Sequence, residues 1–157
     1  MKVIGYGKAK EEDIINFSVE RGVELPEDYK NFLMEYNGGK PENQLNYIKS
    51  VPFKRKIKVY SMFGISSSGN PMYDDTNIKC CINRLGALIQ KNTHIPIAEM
   101  NIDGVILLIL EPGMEGVYIY DYFRELKETK KIPFHKVCDT FTEFLDLIVP
   151  DEKVACK

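Results

Sequence analysis

The stretch LPEDYKNFLMEYNGG, residues 25–39, decides how the rest of the chain is read. Pro26 suits the first helical position, where a missing N–H costs nothing and a fixed φ is already helical. Glu27 and Asp28 follow in the first turn, where the helix dipole favours negative charge. Tyr29, Phe32, Leu33 and Tyr36 recur at i, i+3, i+4 and i+7, which predicts an aromatic-rich buried stripe. Asn37, Gly38 and Gly39 tolerate positive φ and end the helix. The segment reads as a short amphipathic helix with a sharply defined exit, and its glycines are expected to set the path of the chain into a sheet.

On the N-terminal side, Met1 to Tyr6 is a short edge strand or an unstructured start. A helix from near Glu11 is expected to bury Ile14, Ile15 and Val19, with Ser18 between them, and to end at Gly22. The connection to Pro26 is so short that the two helices should form a hairpin.

Beyond Gly39, Lys40 to Gln44 is a polar loop. Leu45 to Val51 is a candidate strand broken at Pro52. A second, Ile57 to Phe63, overlaps the basic cluster Lys54, Arg55, Lys56 and Lys58. GISSSGNP, residues 64–71, is rich in turn formers. Ile78, Cys81, Ile82, Leu85 and Ile89 predict a helix over 77–90, capped by Asp75 or Thr76. His94 to Met100 reads as a strand in which Pro96 suits an edge or a strand start. An Asp103-Gly104 turn leads into Val105 to Leu110, an apolar strand expected to be buried on both faces. A turn at Glu111 to Gly116 returns the chain through Val117 to Tyr122, completing an antiparallel meander. Ile132 to Val137 adds a short strand. Thr140 and Glu143 match a capping box, with Asp139 as a competing N-cap, and Phe141, Phe144, Leu145 and Ile148 mark a closing helix stopped by Pro150. The tail 151–157 is expected to be mobile.

This order implies an α+β fold: an antiparallel sheet with a central meander, an N-terminal helical hairpin, a middle helix and a C-terminal helix packed on it. At 157 residues, with 44% apolar and 28% charged residues, the chain is expected to form one domain, residues 1–157. The net charge of −2, from 21 basic and 23 acidic residues, gives no overall attraction to nucleic acid. There is no h-region of a secretory signal, and the longest apolar run is too short to cross a bilayer, so a cytoplasmic location is expected. Cys80, Cys81, Cys138 and Cys156 are expected to be reduced thiols.

The chemistry-bearing residues form no convincing catalytic set. Cys81 lies on an apolar stripe, and the Cys80-Cys81 pair lacks metal-ligand spacing. His135 and Cys138 carry the residue types of a base and a thiol nucleophile but no third group. Asp74 and Asp75 suit either helix capping or acid/base work. The serines of the 64–71 loop fail the Gly-x-Ser-x-Gly spacing, and no P-loop is present. The basic cluster at 54–58 suits a protected sheet edge. Tyr118, Tyr120 and Tyr122 alternate along one strand and should share one sheet face. That face is either core or a protein-binding surface, since tyrosine is enriched in interface hot spots.

Several segments, in order, resemble the SUKH superfamily. LPEDYKNFLMEYNGG resembles its Leu-Pro helix ending at Asn-Gly-Gly. IPIAEMNIDGVILLIL followed by GVYIYDY resembles its central strands, and CDTFTEFLDLI its closing helix. Ser18 stands near where a glutamate is common, and Asp121-Tyr122 where Trp-Asp is often seen. The resemblance implies a non-enzymatic α+β domain; no cofactor or metal is expected. It further implies a bacterial immunity protein that binds and neutralises a cognate toxin, often a nuclease, or alternatively a regulatory module with an endogenous protein partner. For toxin binding, Glu99, Asp103, Tyr118, Tyr120, Asp121 and Tyr122 are the expected contact residues, with acidic groups mimicking phosphate. A hydrolase using Asp74, Asp75 or Cys138 is the competing expectation from another class.

Overall fold

The computed structural model describes residues 1–49, 51, 53–65, 77–86, 89, 91–121 and 134–152. Its elements are β1 (Val3–Gly5), α1 (Glu11–Arg21), α2 (Glu27–Tyr36), β2 (Gly39–Pro41), β3 (Asn46–Ile48), β4 (Val59–Met62), α3 (Ile78–Leu85), β5 (His94–Met100), β6 (Gly104–Ile109), β7 (Gly116–Asp121), β8 (Phe134–Cys138), α4 (Phe141–Leu147) and β9 (Ile148–Pro150). Seven strands form an antiparallel sheet in the order β1-β2-β4-β5-β6-β7-β8, and β3 pairs with β9 in a separate two-stranded sheet. The chain is therefore α+β, with the expected meander β5–β6–β7 at its centre.

The helix over residues 27–36 forms as its sequence predicts, with Pro26 one position earlier, at the N-cap, where its carbonyl accepts from the Tyr29 and Lys30 amides. Tyr29, Phe32 and Leu33 are buried. The Tyr29 and Phe32 rings meet Phe141 of α4 at 4.8 and 4.9 Å between centroids. Such pairs add about 0.5–1.5 kcal/mol beyond area burial. Asp28 fastens the two helices from their N-terminal ends: its Oδ2 accepts from the Thr142 amide at 2.9 Å and hydroxyl at 3.2 Å. The α4 capping box is complete, with Thr140 Oγ1 accepting from the Glu143 amide and Glu143 Oε2 accepting from the Thr140 amide. Thr140, not Asp139, is the cap.

The helix exit is the tightest point of the fold. Asn37 takes up a left-handed conformation (φ 44°) and is buried. Its amide donates back to Leu33 O at 2.8 Å, and its side-chain Oδ1 accepts from the Ile65 amide at 2.9 Å. Gly38, at φ +84°, lies so near β4 that a Cβ there would stand 2.6 Å from Gly64 N. A Cβ on Gly64 would stand 2.3 Å from Asn37 O. Glycine on both sides lets α2 end against the sheet, so that the next residue, Gly39, pairs with Met62 of β4 and with Gly5 of β1.

Several features depart from sequence expectation. β2 takes up Gly39–Pro41, where a polar loop is expected from Lys40. α3 ends at Leu85 and is capped by Asn77, whose side chain accepts from the Lys79 amide, not by Asp75 or Thr76. In α1, Ile14 and Phe17 are buried, whereas Ile15 and Val19 are 54% and 76% exposed. Pro96 lies in β5, the middle strand of the seven, where a register shift between Pro96 and Ala98 accommodates it. A bulge is the interior site at which a missing N–H is tolerated. After α4 the chain forms β9, whose partner β3 is itself stitched to β4 by Asn46: Asn46 Oδ1 accepts from the Val59 amide at 3.0 Å, and its Nδ2 donates to Val59 O at 3.1 Å. Asp151, expected in a mobile tail, is buried and paired with Lys56 Nζ at 2.5 Å. Residues 153–157 lie outside the described residues.

Gly38→Ala should destabilise strongly, because a strained φ is compounded by contact with fixed backbone. Gly22 has a similar φ of +63° but open space around its would-be Cβ, so Gly22→Ala should cost only the left-handed strain, about 1–2 kcal/mol. Urea denaturation of both variants checks this, with the Gly38 variant expected to lose at least twice as much.

Candidate functional site

The tyrosine face is the first place to look for a binding surface. In register, Glu99 opposes Val105 and Val105 opposes Tyr120, while Leu107 opposes Tyr118. Opposed residues share a face, so Tyr118 and Tyr120 lie on the same side of the sheet as Glu99. At the β7 end that face is covered. Tyr118 and Tyr120 are each 8% exposed, Tyr120 stacks on Phe134 at 4.6 Å, and Lys136 Nζ lies 6.0 Å over the Tyr118 ring. Burial raises the Tyr120 pKa. Asp121 is also buried, and Tyr122 lies outside the described residues.

At the other end the same face is open. A cavity of about 440 Å³ lies between α3 and the β5–β6 turn, with Arg55, Arg84, Glu99 and Asp103 in its walls. A second, of about 370 Å³, adjoins Lys40, Gln44 and Ser61 over β2 and β4. Tyr60 and Glu99 line both, so the two adjoin at these side chains and together make up the groove that crosses the strands. Glu99 and Asp103, expected as contact residues, are therefore brought together in it, both exposed.

Tyr60 completes the groove and was not singled out by the sequence. The β4–β5 register shifts between Val59 and Ser61, which leaves Tyr60 as the extra residue beside Glu99. Bulges re-aim side chains in this way. Tyr60 is 53% exposed. Its signal was an aromatic in a strand already marked as basic-edged, and only the register distinguishes it from core.

The neighbouring charges differ in what they are free to do. Arg55 Nη2 donates to Asn101 O at 3.1 Å, and the Asn101 side chain holds the chain ahead of β4 by accepting from the Lys58 amide and donating to Lys56 O. The basic cluster at 54–58 is thus partly engaged within the fold. The side chains of Glu99, Lys40 and Tyr60 make no ion pair or hydrogen bond among the described residues.

The thiols show no activation. Burial pushes the Cys81 thiol up to about 11 despite the Arg84 guanidinium. Burial, followed by the Glu143 and Asp139 carboxylates, pushes Cys138 up to about 12, and its Sγ donates to Thr140 O at 3.3 Å. The His135 ring meets Phe53 edge-on at 5.0 Å. Asp74 and Asp75 lie outside the described residues. Among the described residues no group of three or more His, Cys, Asp or Glu side chains is placed to hold a metal ion, and no helix is long and apolar enough to cross a membrane.

The groove is bounded by the elements that the NGG exit holds in register, and a family model for the SMI1 / KNR4 family (SUKH-1) matches residues 8–147, from before α1 to the end of α4. The chain belongs to the SUKH-1 family. No curated protein matches it. The SUKH-1 match takes in all of the groove-lining strands and α3, so the groove is part of the family domain and not an addition to it.

In a Cys156→Ser background at pH 8, iodoacetamide should label the exposed Cys80 first. Cys138, at a pKa of about 12, holds only about one thiolate in ten thousand at that pH. Cys81 and Cys138 should therefore react at least tenfold more slowly until the protein is unfolded, as read by mass spectrometry. Rapid labelling of Cys138 in the native protein would instead support a nucleophile.

Proposed function

We propose that this chain is an immunity protein that binds a cognate bacterial toxin in the cytoplasm and neutralises it by occlusion, without catalysis of its own. Membership of the SUKH-1 family supports a role in protein binding. The single structural observation that carries the reading is the open groove with an unpaired carboxylate, Glu99, beside a half-exposed aromatic, Tyr60. Aromatic and charged groups placed together in this way are the ingredients of an interface hot spot.

The contact surface then consists of Glu99, Asp103 and Tyr60. Tyr118, Tyr120 and Asp121 support it from the covered part of the sheet by fixing β6 and β7. A nuclease toxin suits the groove, because its active site combines cations that hold phosphate with carboxylates that hold metal. Glu99 meets the former, and Lys40 and Arg84 the latter, giving charge complementarity that speeds encounter and fixes orientation.

Co-expression with candidate toxins drawn from the neighbourhood of this gene is the test. The wild-type chain should restore growth and co-purify with the toxin, and Tyr60→Ala with Glu99→Lys should lose at least a hundredfold in affinity while keeping the wild-type melting temperature. Absence of both protection and binding would remove the proposal. Capture of a host regulatory protein in place of the toxin would favour a regulatory module.

A further inference from the structure

Charges along the groove alternate in sign. Lys40 on β2 stands at one end, Glu99 on β5 with Tyr60 on β4 at the centre, and Arg84 on α3 at the other end. Arg55 and Asp103, which also line the α3 end, already have partners within the fold. Lys40 and Glu99 have none among the described residues. A carboxylate and an aromatic ring lining the same groove suit a guanidinium or ammonium group, which can gain an ion pair and a cation–π contact together.

The dimensions favour an extended chain. Neighbouring strands are about 4.8 Å apart, so β2 and β5, separated by β4, are about 10 Å apart. Alternate side chains of an extended peptide lie on one face about 7 Å apart. Two such side chains therefore match the Lys40 to Glu99 separation when their own lengths are included, and a third continues toward the α3 end, where Arg84 lines the groove.

We propose that the groove binds an extended segment of the partner protein in which a central arginine or lysine enters between Tyr60 and Glu99, with a carboxylate two residues away on each side meeting Lys40 and Arg84. This rests on the reading of the groove as the partner-contact surface and adds the chemistry of what enters it.

The test titrates the ¹⁵N-labelled full chain with acetyl-Glu-Gly-Arg-Gly-Glu-amide and with its charge-reversed counterpart, acetyl-Arg-Gly-Glu-Gly-Arg-amide. The first peptide should shift amide resonances saturably at Lys40, Tyr60, Arg84 and Glu99. It should bind at least tenfold more tightly than the second, and that preference should disappear in Glu99→Gln and weaken several-fold in Tyr60→Ala. Both substitutions fall on exposed side chains and leave the core intact. Equal binding of the two peptides, or shifts scattered away from the groove, would overturn the inference. If the chain nonetheless protects cells from the neighbouring toxin, the immunity reading stands and only the groove chemistry fails. Selective peptide binding without protection supports the groove chemistry and removes the immunity reading.

Discussion

The contact between Gly38 and Gly64 fixes how a helix and a sheet meet in this protein. Backbone approaches backbone there with no room for a side chain, and Asn37 closes the joint by accepting the Ile65 amide at 2.9 Å. From that joint β2 is laid between β1 and β4, and β4 in turn pairs with the central meander. The groove depends on the same placement: Lys40 follows Gly39 directly, and Tyr60 lies two residues before Met62, the partner of Gly39. A shift of α2 against β4 would move both walls of the groove at once. The segment at residues 25–39 thus shapes the groove from a distance, through the register it sets.

Local signals specify an element where they agree with one another. The helix over residues 27–36 carried its start, its stripe and its stop within fifteen residues, and the α4 capping box is present in full. The β5–β6–β7 meander was visible because β6 is apolar at every position and flanked by turn residues. What escaped notice depends on long-range pairing. Ile15 and Val19 look like core at helical spacing, yet Phe17 and Ile14 face inward and rotate that stripe toward solvent. Pro96 argues for an edge until the bulge at Ile97 is seen, whose carbonyl accepts from the Phe63 amide. Strand β9 and the buried Asp151–Lys56 pair both require knowing that the end of α4 returns to β3.

The candidate surface was half legible for the same reason. Glu99 and Asp103 stood out as acids beside the meander, and they flank the groove. The tyrosines of β7 share its face but are covered at their end by Phe134 and Lys136. Alternation along a strand reveals which side chains share a face; what covers each end of the face depends on the neighbouring elements. Tyr60 needed the β4–β5 register shift, which no local pattern announces.

We propose that partner recognition uses the open end of one sheet face, while its covered end serves packing. Hydrogen–deuterium exchange of the chain with and without a toxin against which it protects cells tests this most directly. Protection on binding should concentrate in residues 59–62 and 99–105 and along α3, with little change at α1 or α4. Protection centred on the outer face of α1, around Ile15 and Val19, with the groove unchanged, would contradict the account.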